Sequence, residues 1–174
     1  MSTPDWPPNL MELNQFGGNW DRYLAALYEI FCADFKFTRP EIAGMVVRAK
    51  YQPNYRGKED GFWHLITQEE DWAKGDRLPN MRRCELIRWP RALIDAFESD
   101  RTVWWQNRRG RKQRLLIALP DFSYVVVLDY RRNHYLLWTQ YPVEHRNRRN
   151  DLRKEYDAFW KDQGRNDRRR PFES

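Results

Sequence analysis

The stretch SYVVVLD, residues 123–129, decides the fold. It is too short for a helix of its own and rich in β-branched residues, so it reads as a strand. Both of its alternating faces are apolar, which suits only a central strand covered on both sides. An open sheet with one wet face is therefore not expected.

Working outward, TVWWQN (102–107), KQRLLIAL (112–119) and HYLLWTQY (134–141) show the same strand composition. The short turns RRGR, PDF and YRRN separate the segments, and together they read as an antiparallel meander. Upstream, NWDRYLAALYEIFCADF places Trp20, Tyr23, Leu24, Leu27 and Phe31 on one helical stripe, with Asn19 as N-cap. MVVRAKY (45–51) reads as a short strand. LPNMRRCELIRW (78–89) is helix-like, with Met81, Cys84 and either Glu85 or Ile87 inward, and PRALIDAFES can begin a further helix on Pro90. A last helix, 145–161, carries Leu152, Tyr156, Phe159 and Trp160 on one side.

The expected fold class is thus α+β. An N-terminal helix and further short helices pack on a four- to five-stranded antiparallel sheet, and a C-terminal helix follows. The length of 174 residues suits one domain, 19–162. Residues 1–18, with prolines and Gly17-Gly18, read as a flexible arm, and 163–174 as a flexible basic tail.

Composition narrows the partner. The 31 Lys and Arg outnumber the 25 Asp and Glu, giving +6, and the cations are mostly arginine. Arginine's planar fork suits phosphate oxygens, and nine Trp, nine Tyr and nine Phe offer rings on which bases stack. RNA is the expected partner. Two cysteines, Cys32 and Cys84, are too few for a disulfide framework or zinc cluster, and no secretory signal opens the chain, so a reduced cytoplasmic setting is expected. No apolar run reaches the length of a membrane span, so no membrane partner is expected. No P-loop, dinucleotide fingerprint or serine elbow is present, and no carboxylate cluster suits a magnesium nuclease. No cofactor is expected.

Three histidines compete for proton transfer, because imidazole titrates nearest neutrality. His134 lies in a turn and His145 at the start of the last helix, where surface or capping roles suffice. His64 is surrounded in sequence by Phe62, Trp63, Leu65 and Ile66, and is either a satisfied core histidine or a catalyst. Strand period puts Tyr135, Leu137, Thr139 and Tyr141 on one face, with Thr139 and Tyr141 roughly 7 Å apart, suited to orienting a phosphate. The turns bearing Arg108, Arg109, Arg111, Lys112, Arg131 and Arg132 share one end of the meander and form a basic rim that reads as an RNA track. Thr139 lies some 20 Å from that rim, on the order of one strand length, so Arg114 is not expected to reach it. Arg82 or Arg83 is the expected electrostatic partner.

The succession of a helix, FWHLIT, RRCELIRWP and a meander ending in YLLWTQYPV resembles the barnase, EndoU, colicin and RelE-like (BECR) ribonuclease superfamily, in its bacterial or phage toxin-type branch. That resemblance spans roughly residues 40–156. It implies metal-independent RNA cleavage by 2′-hydroxyl attack, leaving a 2′,3′-cyclic phosphate, and an inhibitor or antitoxin protein as a possible partner. It further implies His64 as base or acid, Arg83 with Arg82 as substitute for charge stabilisation, and Thr139 with Tyr141 at the phosphate. The alternative expectation is a non-catalytic module that binds RNA or a protein partner through the same surface.

Overall fold

The computed structural model describes residues 5–68 and 78–164. Helix α1, Trp20–Phe35, starts where expected, with Asn19 Oδ1 accepting the Arg22 N–H at 3.0 Å. Its stripe buries Tyr23, Leu27, Phe31, Cys32 and Phe35. Strands β1 (Glu41–Ile42) and β2 (Met45–Ala49) form a hairpin whose turn residues, Ala43 and Gly44, both have positive φ. A second, separate hairpin, β3 (Asn54–Tyr55) and β4 (Lys58–Glu59), leads into helix α2, Asp60–Ile66.

The helix-like segment 78–89 is shorter than expected. Helix α3 covers only Met81–Glu85, capped by Asn80, and Cys84, Leu86 and Ile87 are buried while Met81 is exposed. The inward face follows Cys84 and Ile87, and Met81 does not belong to it. Helix α4, Trp89–Asp95, carries Pro90 in its first turn, where no N–H is needed. The meander comprises β5 (Val103–Arg109), β6 (Lys112–Ala118), β7 (Tyr124–Arg131) and β8 (His134–Pro142), and helix α5, Arg146–Asp162, closes the domain.

The architecture is α+β, but the sheet is larger and mixed. Six strands run in the order β1-β2-β8-β7-β6-β5. The meander is antiparallel, whereas β2 lies parallel to β8 in the register Val47↔Tyr135. The fully antiparallel expectation fails at this one pair, because a parallel partner must lie far away in the chain and leaves no hairpin signal.

Both faces of the sheet are covered, as Ser123–Asp129 demanded. Val126, Leu128 and Leu137 join α1–α4 in the main core, while Trp105, Leu116, Val125 and Val127 meet Leu152 of α5 in a second one. Pairing of β7 with β8 slips between Val127↔Thr139 and Leu128↔Leu137, so Trp138 is an extra residue. This bulge breaks the expected period. Tyr135 and Leu137 face the main core, but Thr139 and Tyr141 look toward the second face.

Residues 5–18 are not a loose arm in this fold. Met11 is buried, its N–H donates to Glu85 O at 3.0 Å, and its carbonyl accepts from the Tyr23 hydroxyl at 2.6 Å. Trp89 Nε1 donates to Pro8 O at 2.8 Å, and a 3-10 turn spans Leu13–Phe16. The proline-rich composition marked irregular backbone, and apolar anchors hold it down. Of the basic tail, residues 165–174 lie outside the described residues.

Candidate functional site

The expected constellation divides into two neighbouring places. In the first, Arg83 reaches from α3 across to β8, where Nη1 donates to Thr139 Oγ1 at 3.0 Å and to Thr67 O at 2.7 Å. Thr139 Oγ1 donates in turn to the main-chain carbonyl of His64 at 3.3 Å. His64, Arg83 and Thr139 are therefore brought together, although 75 residues separate the first from the last. The imidazole itself points elsewhere. Its Nε2 lies 3.2 Å from Asp60 Oδ2, one helical turn back, and Lys50 Nζ lies 2.9 Å from the same oxygen. His64 is 4% exposed, and its ring packs edge-on against Trp138 at 4.8 Å.

Beneath this network, Gln140 anchors the strand from the other face. Its Nε2 donates to Leu65 O at 3.1 Å and to Arg83 O at 3.0 Å, while its Oε1 accepts from the buried Tyr124 hydroxyl. Burial holds the Tyr124 phenol well above its ordinary range, so the donor keeps its proton. α2, α3 and β8 are tied together by these bonds.

The second place is a polar cleft of about 390 Å³ between the sheet and α5. Leu116, Val127 and Thr139 lie along it, and Tyr141, Asn107, Arg109 and Arg114 enter from the strands. Helix α5 contributes Arg148, Asp151 and Glu155, three residues at helical spacing. Burial raises the Tyr141 phenol above its usual value, opposed by the nearby Arg148 guanidinium, so the hydroxyl remains a donor at neutral pH. Glu155 Oε1 accepts from Asn107 Nδ2 at 2.7 Å.

Arg114 corrects the sequence expectation. It was placed out of reach of Thr139, yet both line this cleft. The register explains it, since Leu116 faces Val127 and Val127 faces Thr139, leaving Arg114 only two residues along its own strand. Thr139 sits inside β8, which runs on to Pro142, so it does not mark the far end of the sheet. Arg114 is largely buried and held by the Asp129 carboxylate, with Nε 3.2 Å from Oδ1. Arg131 at 3.4 Å and Lys112 at 3.8 Å complete a basic ring around Asp129, itself 1% exposed.

The remaining sequence candidates sort by distance from the cleft. Arg108, Arg109, Arg111, Lys112, Arg131 and Arg132 occupy the two turns at one end of the sheet and are exposed, and Arg109 extends that rim into the cleft. Lys112 lies 4.4 Å from the centre of the Trp138 ring. Arg82 pairs with Glu85 on the surface of α3 at 3.0 Å. His134 opens β8 instead of lying in the turn, with Nδ1 2.7 Å from Asn133 Oδ1, and His145 holds the N-cap position of α5 without a side-chain cap bond.

Sequence reasoning missed Asn107, Arg114, Arg148, Asp151 and Glu155. Signals for two groups were present. Arg114 stands at the head of the apolar run of β6, on the same strand face as Leu116, and the spacing 148, 151, 155 marks a polar stripe on α5. Among the described residues, no group of three or more His, Cys, Asp or Glu side chains is arranged to hold a metal ion, and no helix is long and apolar enough to cross a membrane.

Fold and site together define an α+β protein with a polar cleft of mixed charge, rich in arginine, built on a mixed sheet. No protein-family model, curated protein or solved structure matches the chain.

Proposed function

We propose that the protein is a metal-independent endoribonuclease that holds an RNA phosphodiester in the cleft between the sheet and α5. The supporting observation is the convergence of Arg109, Arg114 and Arg148 with Thr139 and Tyr141 around one polar cavity. Guanidinium forks match phosphate oxygens, and their attraction grows as the phosphorus gains a fifth oxygen and further negative charge. In this reading the RNA 2′-oxygen attacks phosphorus and its proton passes to the Asp151 carboxylate of α5, since Glu155 is engaged by Asn107. The P–O5′ bond breaks, and the departing alkoxide takes a proton from the Tyr141 phenol. The products are a 2′,3′-cyclic phosphate and a 5′-hydroxyl. Arg83 and His64 act as positioning residues, the first by fixing Thr139 and the second by fixing α2 behind Trp138.

A second reading, an RNA-binding module without chemistry, is favoured by one observation. The His64 imidazole is committed to Asp60 and does not line the cleft. Labelled RNA incubated with purified protein in EDTA separates the two. Cleavage to cyclic-phosphate ends, reduced at least 100-fold in Arg114→Ala and Tyr141→Phe, supports the enzyme. Binding without cleavage supports the module, and no binding at low salt removes both. Growth arrest on expression is expected of a toxin-type nuclease and not of a simple binder.

A further inference from the structure

We infer that Asn107 is a ribose 2′-hydroxyl acceptor that makes the cleft prefer RNA to DNA. This rests on the reading of the cleft as a phosphodiester site. Three observations carry it. Asn107 lines the same cleft as the arginines. Its orientation is fixed, because Nδ2 donates to Glu155 Oε1 at 2.7 Å, which leaves Oδ1 as the uncommitted acceptor of the amide. That oxygen is buried and accepts no hydrogen bond among the described residues. A buried acceptor left in this way costs free energy unless a ligand or solvent donor meets it.

The chemistry of the missing donor follows from the neighbour across the sheet. Asn107 and Arg114 are directly paired in the β5–β6 register, so their side chains leave one face about 5 Å apart. One position offers a cation and the other an acceptor. A ligand that fits both carries an anionic oxygen and, one short step away, a hydroxyl donor. A ribonucleotide presents this pair in its phosphate and adjacent 2′-hydroxyl, whereas a deoxyribonucleotide has only the phosphate. With DNA in the cleft, Oδ1 meets C–H instead of O–H. Glu155 works through Asn107 by holding the amide in this orientation, and the hydrogen bond to Oδ1 belongs to the bound ground state, the proton passing to Asp151 only as the 2′-oxygen attacks.

The test is an anisotropy titration at low temperature in EDTA, with RNA integrity checked on a gel. Labelled oligonucleotides of one sequence are made as RNA, DNA and 2′-fluoro RNA. Wild type is expected to bind RNA about fivefold tighter than DNA, the worth of one neutral hydrogen bond. The 2′-fluoro strand, which cannot donate, is expected to behave as DNA. Asn107→Ala is expected to bind RNA as weakly as wild type binds DNA, with DNA affinity unchanged. Equal affinity of wild type for RNA and DNA overturns the inference while leaving the phosphodiester site standing, as does tight binding of the 2′-fluoro strand. An RNA preference that survives Asn107→Ala also overturns it. Failure of wild type to bind any of the three strands removes the cleft reading itself. The comparison of three strands on wild type decides the matter even if the variant does not fold.

Discussion

At the scale of single residues, the charged groups divide between those that build the fold and those that face the cleft. Arg83 belongs to the first set, because its guanidinium satisfies both Thr67 O and Thr139 Oγ1. Arg83→Ala is expected to destabilise the protein by about 1–3 kcal/mol through stranded acceptors, measured by urea denaturation. Asp34 adds a pH dependence. Burial raises its carboxyl to about 6, opposed by Arg91, so between its ordinary value of 3.8 and about 6 the folded state binds more protons than the unfolded state. Stability from this group is therefore present at low pH and lost as pH rises through that window. Asp34→Asn is expected to flatten that decline in denaturation curves taken at pH 4, 5, 6 and 7. Burial also pushes the Cys84 thiol up to about 12, and a thiol reagent at pH 8 is expected to modify it only on unfolding. Individual residues were partly legible in the sequence. Thr139, Tyr141 and Arg83 stood out by chemical type and placement, and Arg83 with Thr139 are hydrogen-bonded. The direction of the His64 ring was not legible, since an i,i+4 carboxylate and a distant tryptophan determine it.

At the scale of elements, the pieces with a one-sided stripe or a β-rich run between turns were legible, and the short buried helix α2 was not. The stripe of α1 announces itself because it has one wet and one dry side, and β5–β8 announce themselves by β-rich runs with a defined turn between each pair. Helix α2 has neither, since every residue from Asp60 to Ile66 is buried, so no amphipathic period marks it as a helix. The bulge at Trp138 was hidden for a similar reason, because only the partner strand reveals an extra residue. Two predictions belong here. Gly61 of α2 lies against β2, and a Cβ there would stand 2.9 Å from both Lys50 N and Lys50 O. Gly61→Ala is expected to cost about 1–3 kcal/mol as the helix is pushed off the strand, seen as a lower Tm. Leu152 is the buried anchor of α5 in the second core, at 1% exposure. Leu152→Ala is expected to cost about 2–5 kcal/mol and, because α5 walls the cleft, to weaken RNA binding with the sheet intact.

At the scale of the whole molecule, the excess of arginine proved easier to read as composition than as geography. The basic rim on two turns was legible from strand direction alone, whereas the cleft needed α5 to lie across the sheet, and no local pattern fixes where a terminal helix docks. If three arginines neutralise three phosphates of single-stranded RNA, log affinity should fall against log salt with a slope of about −2, and Arg114→Ala should make that slope shallower by about 0.7. Titrations across a salt series measure both. One further consequence comes from the strand order. Among the described residues β8 is the last strand made, yet it lies between β2 and β7 and is the strand that joins the β1–β2 hairpin to the meander. During synthesis the first half of the chain must wait, with its sheet edge unmatched, until residue 142 has left the ribosome. Truncations ending before β8 should accordingly emerge as substrates for chaperones and proteases, while release of that single segment should let both halves lock in one cooperative step.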